Sequence, residues 1–140
     1  MAKPVVYSYE TDHLGRVVRV QGSLALSIAE TPKERDKNHR NPRTQRKYGG
    51  PVKEYDGGHL VATLFQGPAE KVNLVPQLAE QNRNGDWREM ERKWAQKLRA
   101  GDTLEVDIQI LYDINSDTPT GLFSQYKVNG GPTKKEFFTN

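Results

Sequence analysis

Alternating apolar and polar positions mark strands near both ends of the chain. Residues 5–9 and 16–20 are rich in β-branched and aromatic side chains, and residues 11–15 between them have the composition of a turn. This pattern predicts an N-terminal β-hairpin. Near the other end, residues 103–110 alternate with a period of two, and residues 122–128 form the predicted partner strand. These later strands contain no candidate catalytic group, and we expect them to form a scaffold.

A helical period of apolar residues predicts one main helix over about residues 86–100. Asp86 can cap it with Glu89 three residues on, and Gly101 can end it. Its apolar stripe consists of Trp87, Met90, Trp94 and Leu98. Glu91 falls on that stripe, whereas the other charged side chains of the helix lie off it. Because a carboxylate on a buried face costs several kcal/mol unless it is paired, Glu91 indicates either a bound cation or a buried Glu–Arg pair.

An unusual histidine lies near the middle of the chain. His59 directly follows Gly57 and Gly58 and precedes the apolar residues 60–65, which predict a short buried strand. Two glycines let the backbone turn tightly or approach a ligand closely. We therefore expect His59 at the entrance of a strand, held by rigid structure and reachable from a cleft. The alternative is a histidine packed in the core after a hairpin turn.

Asparagine and proline are frequent between this segment and the predicted helix. Residues 73–77, Asn-Leu-Val-Pro-Gln, predict an ordered loop crossing rather than a helix or a central strand. Residues 81–85 follow with Asn82 and Asn84. Carboxamide oxygens are neutral donors suited to hard cations and to orienting phosphate oxygens. Asparagine is also an ordinary loop residue, so these positions gain meaning only beside the other candidates.

Length and composition restrict the class of protein. A chain of 140 residues predicts a single domain covering residues 1–140, with enough apolar residues for a core. No run of about 18 apolar residues is present, so we expect no membrane partner. The absence of cysteine excludes disulfides and thiolate metal ligands. Since the three histidines are also scattered, a closed structural zinc site is not expected.

Positive charge is concentrated in residues 31–55, which contain eight Lys or Arg against three acidic residues. This segment has a net charge of +5 in a chain whose total is +3, and it leads directly to His59. A basic segment at that place predicts an anionic partner, although a solvated charged loop would have the same composition. The candidate nucleic-acid-binding residues are Arg40, Arg43, Arg46, Lys47 and Arg83.

Taken together, these residues resemble the DNA/RNA non-specific endonucleases, whose core is a ββα-metal (His-Me) finger. More narrowly, they resemble the nuclease domains at the C-termini of bacterial polymorphic toxins. The resemblance runs through residues 56–59 and 73–77, then Asn82, Trp87 and Glu91, and covers most of the chain. It implies an α+β fold in which the finger core accompanies an antiparallel sheet and one main helix.

The resemblance also implies a role for each matching residue. His59 matches the general base that deprotonates the attacking water. Asn82 matches the residue that ligates a single divalent metal, Mg²⁺ or Mn²⁺, and Glu91 matches the carboxylate that holds this metal through its water shell. Asn73 matches an asparagine that supports the site.

Two departures from the family pattern affect these assignments. The best-known form of the family has arginine where this chain has Gly57. This phosphate-stabilising cation either comes from elsewhere in the chain, with Arg46 as our candidate, or is absent. One extra residue lies between Asn82 and Trp87, which leaves Asn84 as an alternative metal ligand.

The chemistry of these residue types suits phosphodiester cleavage. That reaction needs a base for water, a Lewis acid for the developing charge and cations that position the phosphate. An imidazole, with an ordinary pKa of about 6.5, can be a base near neutral pH. A site of one amide and one carboxylate leaves Mg²⁺ mostly hydrated, as this ion prefers.

These observations predict a metal-dependent, largely sequence-non-specific endonuclease with DNA as the expected substrate. An RNA-specific nuclease is the alternative within the enzyme class, since backbone chemistry ignores the sugar unless a 2′-hydroxyl is contacted. A non-catalytic nucleic-acid-binding module would explain the basic segment but not Glu91. The toxin resemblance further implies delivery into the cytoplasm of a target cell. It also implies an inhibitory immunity protein, which we expect to be acidic because it would face a basic cleft.

Overall fold

The computed structural model of the protein describes residues 7–27, 55–78 and 85–140. Within these ranges, strands β1 to β4 precede the helix α1, and strands β5 to β7 follow it. The bounds are β1 Ser8–Thr11, β2 Val17–Ser23, β3 Tyr55–His59, β4 Leu74–Leu78, α1 Asp86–Arg99, β5 Leu104–Tyr112, β6 Pro119–Val128 and β7 Lys134–Thr139. The α+β class predicted from the sequence is confirmed.

The larger sheet contains five antiparallel strands in the order β1-β2-β5-β6-β7. The predicted N-terminal hairpin is β1–β2, and its turn includes Gly15 at a φ of +77°. The alternating residues after 103 form β5, whose buried side chains are Leu104, Val106, Ile108 and Ile110. The side chains that alternate with them on β5 are exposed or half-buried. The two faces of the sheet therefore differ, and the face that carries the buried side chains covers the core.

Helix α1 packs its apolar stripe against the inner side of this sheet. The stripe is buried except at its last residue, Leu98, which is partly buried. Trp87 meets Phe138 of β7 edge-on, with ring centroids 5.0 Å apart, and Trp94 meets Tyr126 of β6 in the same way at 5.4 Å. Among the described residues, no helix is long and apolar enough to cross a membrane.

The ends of α1 differ in how well the sequence predicted them. The N-cap is Gly85, with no side-chain hydrogen bond, so the capping role predicted for Asp86 is wrong. Asp86 lies inside the first turn with Glu89. Acidic side chains at this position still stabilise the helix, because they lie at the positive end of its dipole. The predicted end is confirmed, because Gly101 adopts a φ of +90° in a Schellman arrangement that terminates the helix.

The smaller sheet is a two-stranded ribbon made of β3 and β4, and it corrects two predictions. Residues 60–65 are not a strand: β3 ends at His59, and the chain then bends into a 3-10 turn at Thr63–Phe65. The reason is a long-range contact, since the Asn73 side chain takes up both the N–H and the carbonyl of Val61. His59 therefore lies at the end of a strand rather than at its entrance.

The predicted loop crossing at residues 73–77 is also wrong, because Leu74–Leu78 forms β4. Pro76 is tolerated there because β4 pairs with β3 only, and its missing N–H falls on the unpaired side. Gly58 serves this pairing: a Cβ atom at that position would collide with the side chain of Gln77, whose own Cβ lies 2.8 Å away. The ribbon is thus closely packed from strand to strand.

Candidate active site

His59 is the last residue of β3, and the buried residues Leu60 and Val61 follow it directly. The residue is half-buried, and its Nε2 atom lies inside the protein. Leu60 and Val61 are both buried, and the Leu60 N–H donates to the Asn73 carbonyl oxygen at 2.8 Å. The backbone next to the imidazole is therefore fixed, while part of the side chain remains accessible.

The side chain of Asn73 holds the bend that follows His59, at residues 60–65, in place. Its side chain is fully buried, and Oδ1 accepts hydrogen bonds from the Val61 N–H and the Tyr9 hydroxyl, both at 2.9 Å. Nδ2 donates to the carbonyl oxygens of Val61 at 2.9 Å and Pro68 at 3.0 Å. Because every polar atom of the carboxamide is engaged inside the protein, Asn73 has the contacts of a supporting residue rather than of a metal ligand.

The segment between His59 and Asn73 is attached to the N-terminal part of the chain at further points. The Tyr7 hydroxyl donates to the Phe65 carbonyl oxygen at 2.7 Å. Gln66 Nε2 donates to the Leu26 carbonyl oxygen at 2.9 Å. Burial raises the pKa of the Tyr7 hydroxyl above its ordinary range, so this phenol stays a hydrogen-bond donor at any ordinary pH. The loop is therefore anchored along its length.

Glu91 is the buried carboxyl group that the helical stripe predicted. Its side chain is only 7% exposed, and burial raises the pKa of the carboxyl group to about 8, against a smaller opposing effect of the Arg88 charge. Arg88 Nη1 lies 4.0 Å from Glu91 Oε1, and its side chain is 46% exposed. This contact is at the outer limit of an ion pair, so it compensates the carboxylate poorly.

A divalent cation fits this carboxyl group. Carboxylate oxygen is a preferred ligand of such ions, and an opposite charge nearby favours the ionised form of a group that burial would otherwise keep protonated. Within residues 7–27, 55–78 and 85–140, no three His, Asp or Glu side chains are placed to hold a metal together. A cation at Glu91 would therefore have few ligands from the described part of the chain.

The residues next to His59 and those next to Glu91 pack in the same hydrophobic core. Leu60 and Val61, which follow His59, belong to the same buried cluster as Met90 and Trp94 on either side of Glu91. Phe65 in the bend packs edge-on against Trp94 at 6.2 Å. The remaining candidates lie outside the described residues; they are Asn82, Asn84, Arg40, Arg43, Arg46, Lys47 and Arg83.

Three polar side chains near the ribbon were missed by sequence reasoning. Tyr9 and Asn140 hydrogen-bond to residues 62 or 64 positions away, so no local pattern could reveal their role. Gln77 is buried, and its Nε2 has no hydrogen-bond partner among the described residues. Strand alternation places Gln77 on the face shared with Gly58, opposite to His59. A signal for Gln77 existed, because it closes the Asn-Leu-Val-Pro-Gln segment.

Comparison with solved structures identifies the fold. NucA from Streptococcus agalactiae with a bound magnesium ion superposes with a TM-score of 0.77, covering 99% of this chain and 73% of NucA at 16% identity. The Sda1 nuclease with a bound zinc ion gives a TM-score of 0.68, covering 96% of this chain and 74% of Sda1 at 15% identity. At such low identity, these likenesses show a common fold.

Comparison of sequences identifies the family. The type VII secretion system protein EssD of Staphylococcus aureus is 34% identical over an alignment of 135 residues that covers 91% of this chain and 20% of EssD. The chain thus spans about a fifth of the length of this relative. The sequence profile of the DNA/RNA non-specific endonucleases matches residues 2–130. Because this match covers most of the chain, the chain belongs to the DNA/RNA non-specific endonuclease family.

Proposed function

We propose that this nuclease is metal-dependent, cleaves nucleic acid with little sequence preference, and has DNA as its main substrate. The observation that carries the proposal is Glu91, a buried carboxyl group with a raised pKa and a distant, exposed counter-charge. It lies on the same core as the bend after His59. A base and a cation ligand on one rigid framework suit the hydrolysis of a phosphodiester bond.

In this mechanism, the imidazole of His59 accepts a proton from the attacking water. The hydrogen bonds of Asn73 hold the backbone beside His59 in place, which helps to position the imidazole for the reaction. Glu91 and Asn82 would hold the divalent cation, Mg²⁺ or Mn²⁺. When bound, such a cation supplies Lewis-acid stabilisation of the charge that develops on the phosphate.

Substrate binding is assigned to the basic residues. Arg40, Arg43, Arg46, Lys47 and Arg83 would neutralise backbone phosphates. Arg46 would stabilise the scissile phosphate, where the family arginine is replaced by Gly57. Such contacts are independent of base sequence and weaken with salt. Neutralising Arg40, Arg43, Arg46 and Lys47 together should weaken binding to nucleic acids of unrelated sequence equally. It should also make the affinity depend less steeply on salt concentration.

A plasmid-nicking assay with and without EDTA tests the activity, with His59→Ala as the inactive variant. We expect Mg²⁺-dependent nicking by the wild-type protein and none by His59→Ala, which should stay folded and bind DNA. His13→Ala is the matched control, because His13 is an exposed residue of the β1–β2 turn. Full turnover by folded His59→Ala would refute the base assignment. Parallel reactions on RNA measure the substrate preference.

We further propose that the chain acts as a toxic effector domain in the cytoplasm of a target cell. This rests on the similarity to EssD, which is a type VII secretion system protein. A non-specific nuclease attacks the DNA of any cell that contains it, so we expect an acidic immunity protein that binds the basic surface. Expression in a bacterium without an inhibitor should kill the cell or degrade its DNA, and expression of His59→Ala should not. Harmless accumulation of active enzyme would overturn the toxin role alone.

A further inference from the structure

The carboxamide of Asn140 joins the ribbon that carries His59 to the five-stranded sheet. Its Oδ1 atom accepts a hydrogen bond from the Leu78 N–H at 2.9 Å, and Nδ2 donates to the Pro76 carbonyl oxygen at 2.9 Å. The same Nδ2 donates to the carbonyl oxygen of Pro119, the first residue of β6, at 2.7 Å. One half-buried side chain thus contacts both sheets.

Asn140 occupies the position that a third strand of the ribbon would take. Pro76 and Leu78 are two residues apart in β4, so their main-chain polar groups point to the same side, away from β3. That edge presents a carbonyl oxygen and an N–H group. A carboxamide carries one acceptor and a pair of donor hydrogens, and it therefore satisfies this edge as a peptide group would.

The strand that precedes Asn140 also holds the helix that carries Glu91. Phe138 of β7 lies two residues before Asn140 and packs edge-on against Trp87 of α1, with 5.0 Å between ring centroids. Both aromatic side chains are buried. The end of β7 therefore contacts α1 through an aromatic pair, and the next residue contacts β4 through a carboxamide.

We propose that Asn140 is a positioning residue for the nuclease reaction. It fixes the orientation of the β3–β4 ribbon, and with it His59, relative to the helix that carries Glu91. This inference rests on the proposed roles of His59 and Glu91. A two-stranded ribbon is marginally stable by itself, so its orientation depends on its attachments. A shift of about 1 Å in a catalytic group can cost roughly a hundredfold in rate. Loss of the Asn140 attachment would therefore lower turnover by displacing His59.

The variants for the test are Asn140→Ala and a matched control, Asn129→Ala. Asn129 also makes three side-chain hydrogen bonds, to Thr103 N, Thr103 Oγ1 and Asp102 Oδ1, at the turn between β6 and β7. Both variants therefore lose the same number of contacts, but only Asn140 contacts the ribbon. The measurements are kcat and KM on DNA, thermal unfolding, amide hydrogen exchange at Leu78 and the NMR shifts of the His59 ring.

We expect Asn140→Ala to lower kcat about tenfold or more, with KM within about twofold, because substrate binding is not disturbed. The Leu78 amide should exchange at least about tenfold faster, because its acceptor is gone, and the His59 ring resonances should shift. Asn129→Ala should leave kcat, the Leu78 exchange rate and the His59 resonances as in the wild type, even where it lowers thermal stability.

Folded Asn140→Ala with wild-type kcat would overturn the proposal, whatever the exchange at Leu78. A loss of kcat with unchanged Leu78 exchange would overturn it too, because the loss would not arise through β4. If Asn140→Ala fails to fold, Asn140→Asp decides: it keeps the acceptor for Leu78 but removes the donor to both Pro76 and Pro119, and wild-type kcat would refute the role. If the wild-type protein shows no nuclease activity, the proposed function fails, while Leu78 exchange and the His59 resonances still test the attachment.

Discussion

The five-stranded sheet and the β3–β4 ribbon are held in place in different ways. In the sheet, β5 and β6 pair from Leu104↔Val128 to Tyr112↔Pro119 with one register shift between Leu111 and Tyr112, and their inward side chains form much of the core. The ribbon pairs only from Tyr55↔Leu78 to His59↔Leu74 and contains a Gly-Gly pair and a proline. Its attachments to the rest of the protein include several side-chain hydrogen bonds.

This difference separates stability from catalysis in the molecule. The sheet owes its stability to many apolar contacts, each of which contributes a small part, so one lost polar contact changes little. The ribbon and the adjoining residues 60–73 place Val75, Leu60 and Val61 in the core, and directional bonds of Asn73, Asn140 and Tyr9 also hold them. Substitutions of residues that contact the ribbon or residues 60–73 should therefore lower turnover. Equivalent substitutions within the five-stranded sheet should lower mainly stability.

The largest contrast is expected between two glycine substitutions. A Cβ atom at Gly67 would collide with the carbonyl oxygen of Val61 in the bend after His59, and this backbone atom cannot move independently. A Cβ atom at Gly121 in β6 would lie 2.7 Å from Cζ of Phe137, whose exposed ring can rotate away. Gly67→Ala should lower the free energy of unfolding by roughly 3 kcal/mol or more and abolish cleavage. Gly121→Ala should cost about 1 kcal/mol and leave kcat unchanged.

Urea unfolding and single-turnover cleavage measure the two effects. Equal loss of stability and activity in both variants would mean that the ribbon is no more sensitive than the sheet.

The next contrast concerns two buried polar side chains. Asn73→Ala leaves the N–H and carbonyl groups of Val61 without their partners, so we expect a loss of roughly 2–4 kcal/mol and a large fall in kcat. Ser124 in β6 is fully buried, but its Oγ has no hydrogen-bond partner among the described residues. Ser124→Ala should therefore be neutral or slightly stabilising, with normal kcat. Thermal unfolding and steady-state kinetics check both, and a Ser124→Ala variant as impaired as Asn73→Ala would contradict the comparison.

The same division explains what the sequence could predict. The hairpin β1–β2, the strands β5 and β6 and the buried face of α1 follow from local periodicity, and the structure confirms them. Their patterns are local because each strand or helix simply presents one side to the core.

The ribbon was predicted less well because contacts distant in sequence determine it. Residues 60–65 resemble a buried strand until the Asn73 side chain occupies the hydrogen-bonding groups of Val61. Residues 74–78 contain a proline that argues against a strand until the single pairing with β3 is known. His59 and Glu91 stand out by local placement, whereas Tyr9 and Asn140 carry no local signal. The catalytic roles of His59, Glu91, Asn73 and Asn82 stay predictions.

Glu91 gives an effect of intermediate size that depends on pH. Burial raises the pKa of its carboxyl group in the folded protein to about 8, from an ordinary value of 4.5. The folded state therefore holds a proton that the unfolded state releases between these pH values. In metal-free protein, the free energy of unfolding should fall by a few kcal/mol as the pH rises from about 4.5 to about 8.

Chemical unfolding in EDTA across this pH range measures the effect, with Glu91→Gln as the reference. The glutamine variant carries no titrating group at this position, so its stability should depend less on pH. Added Mg²⁺ should restore stability to the wild-type protein at pH 8 more than to Glu91→Gln, because the cation favours the carboxylate. The same response to Mg²⁺ in both proteins would remove Glu91 from the metal site.

The smallest contrast is between two tyrosine hydroxyls of the same kind. Tyr9 donates to Asn73 Oδ1 at 2.9 Å, next to the bend after His59, and Tyr112 donates to the Val17 carbonyl oxygen at 2.8 Å within the sheet. Substitution by phenylalanine keeps each ring and removes one hydrogen bond, so both variants should lose roughly 1 kcal/mol of stability. Tyr9→Phe should also lower kcat by about two- to fivefold at constant KM, because Asn73 holds the backbone beside His59 less firmly. Tyr112→Phe should keep the wild-type kcat. Equal kcat values in two equally destabilised variants would show that the sheet and the ribbon contribute to turnover in the same way.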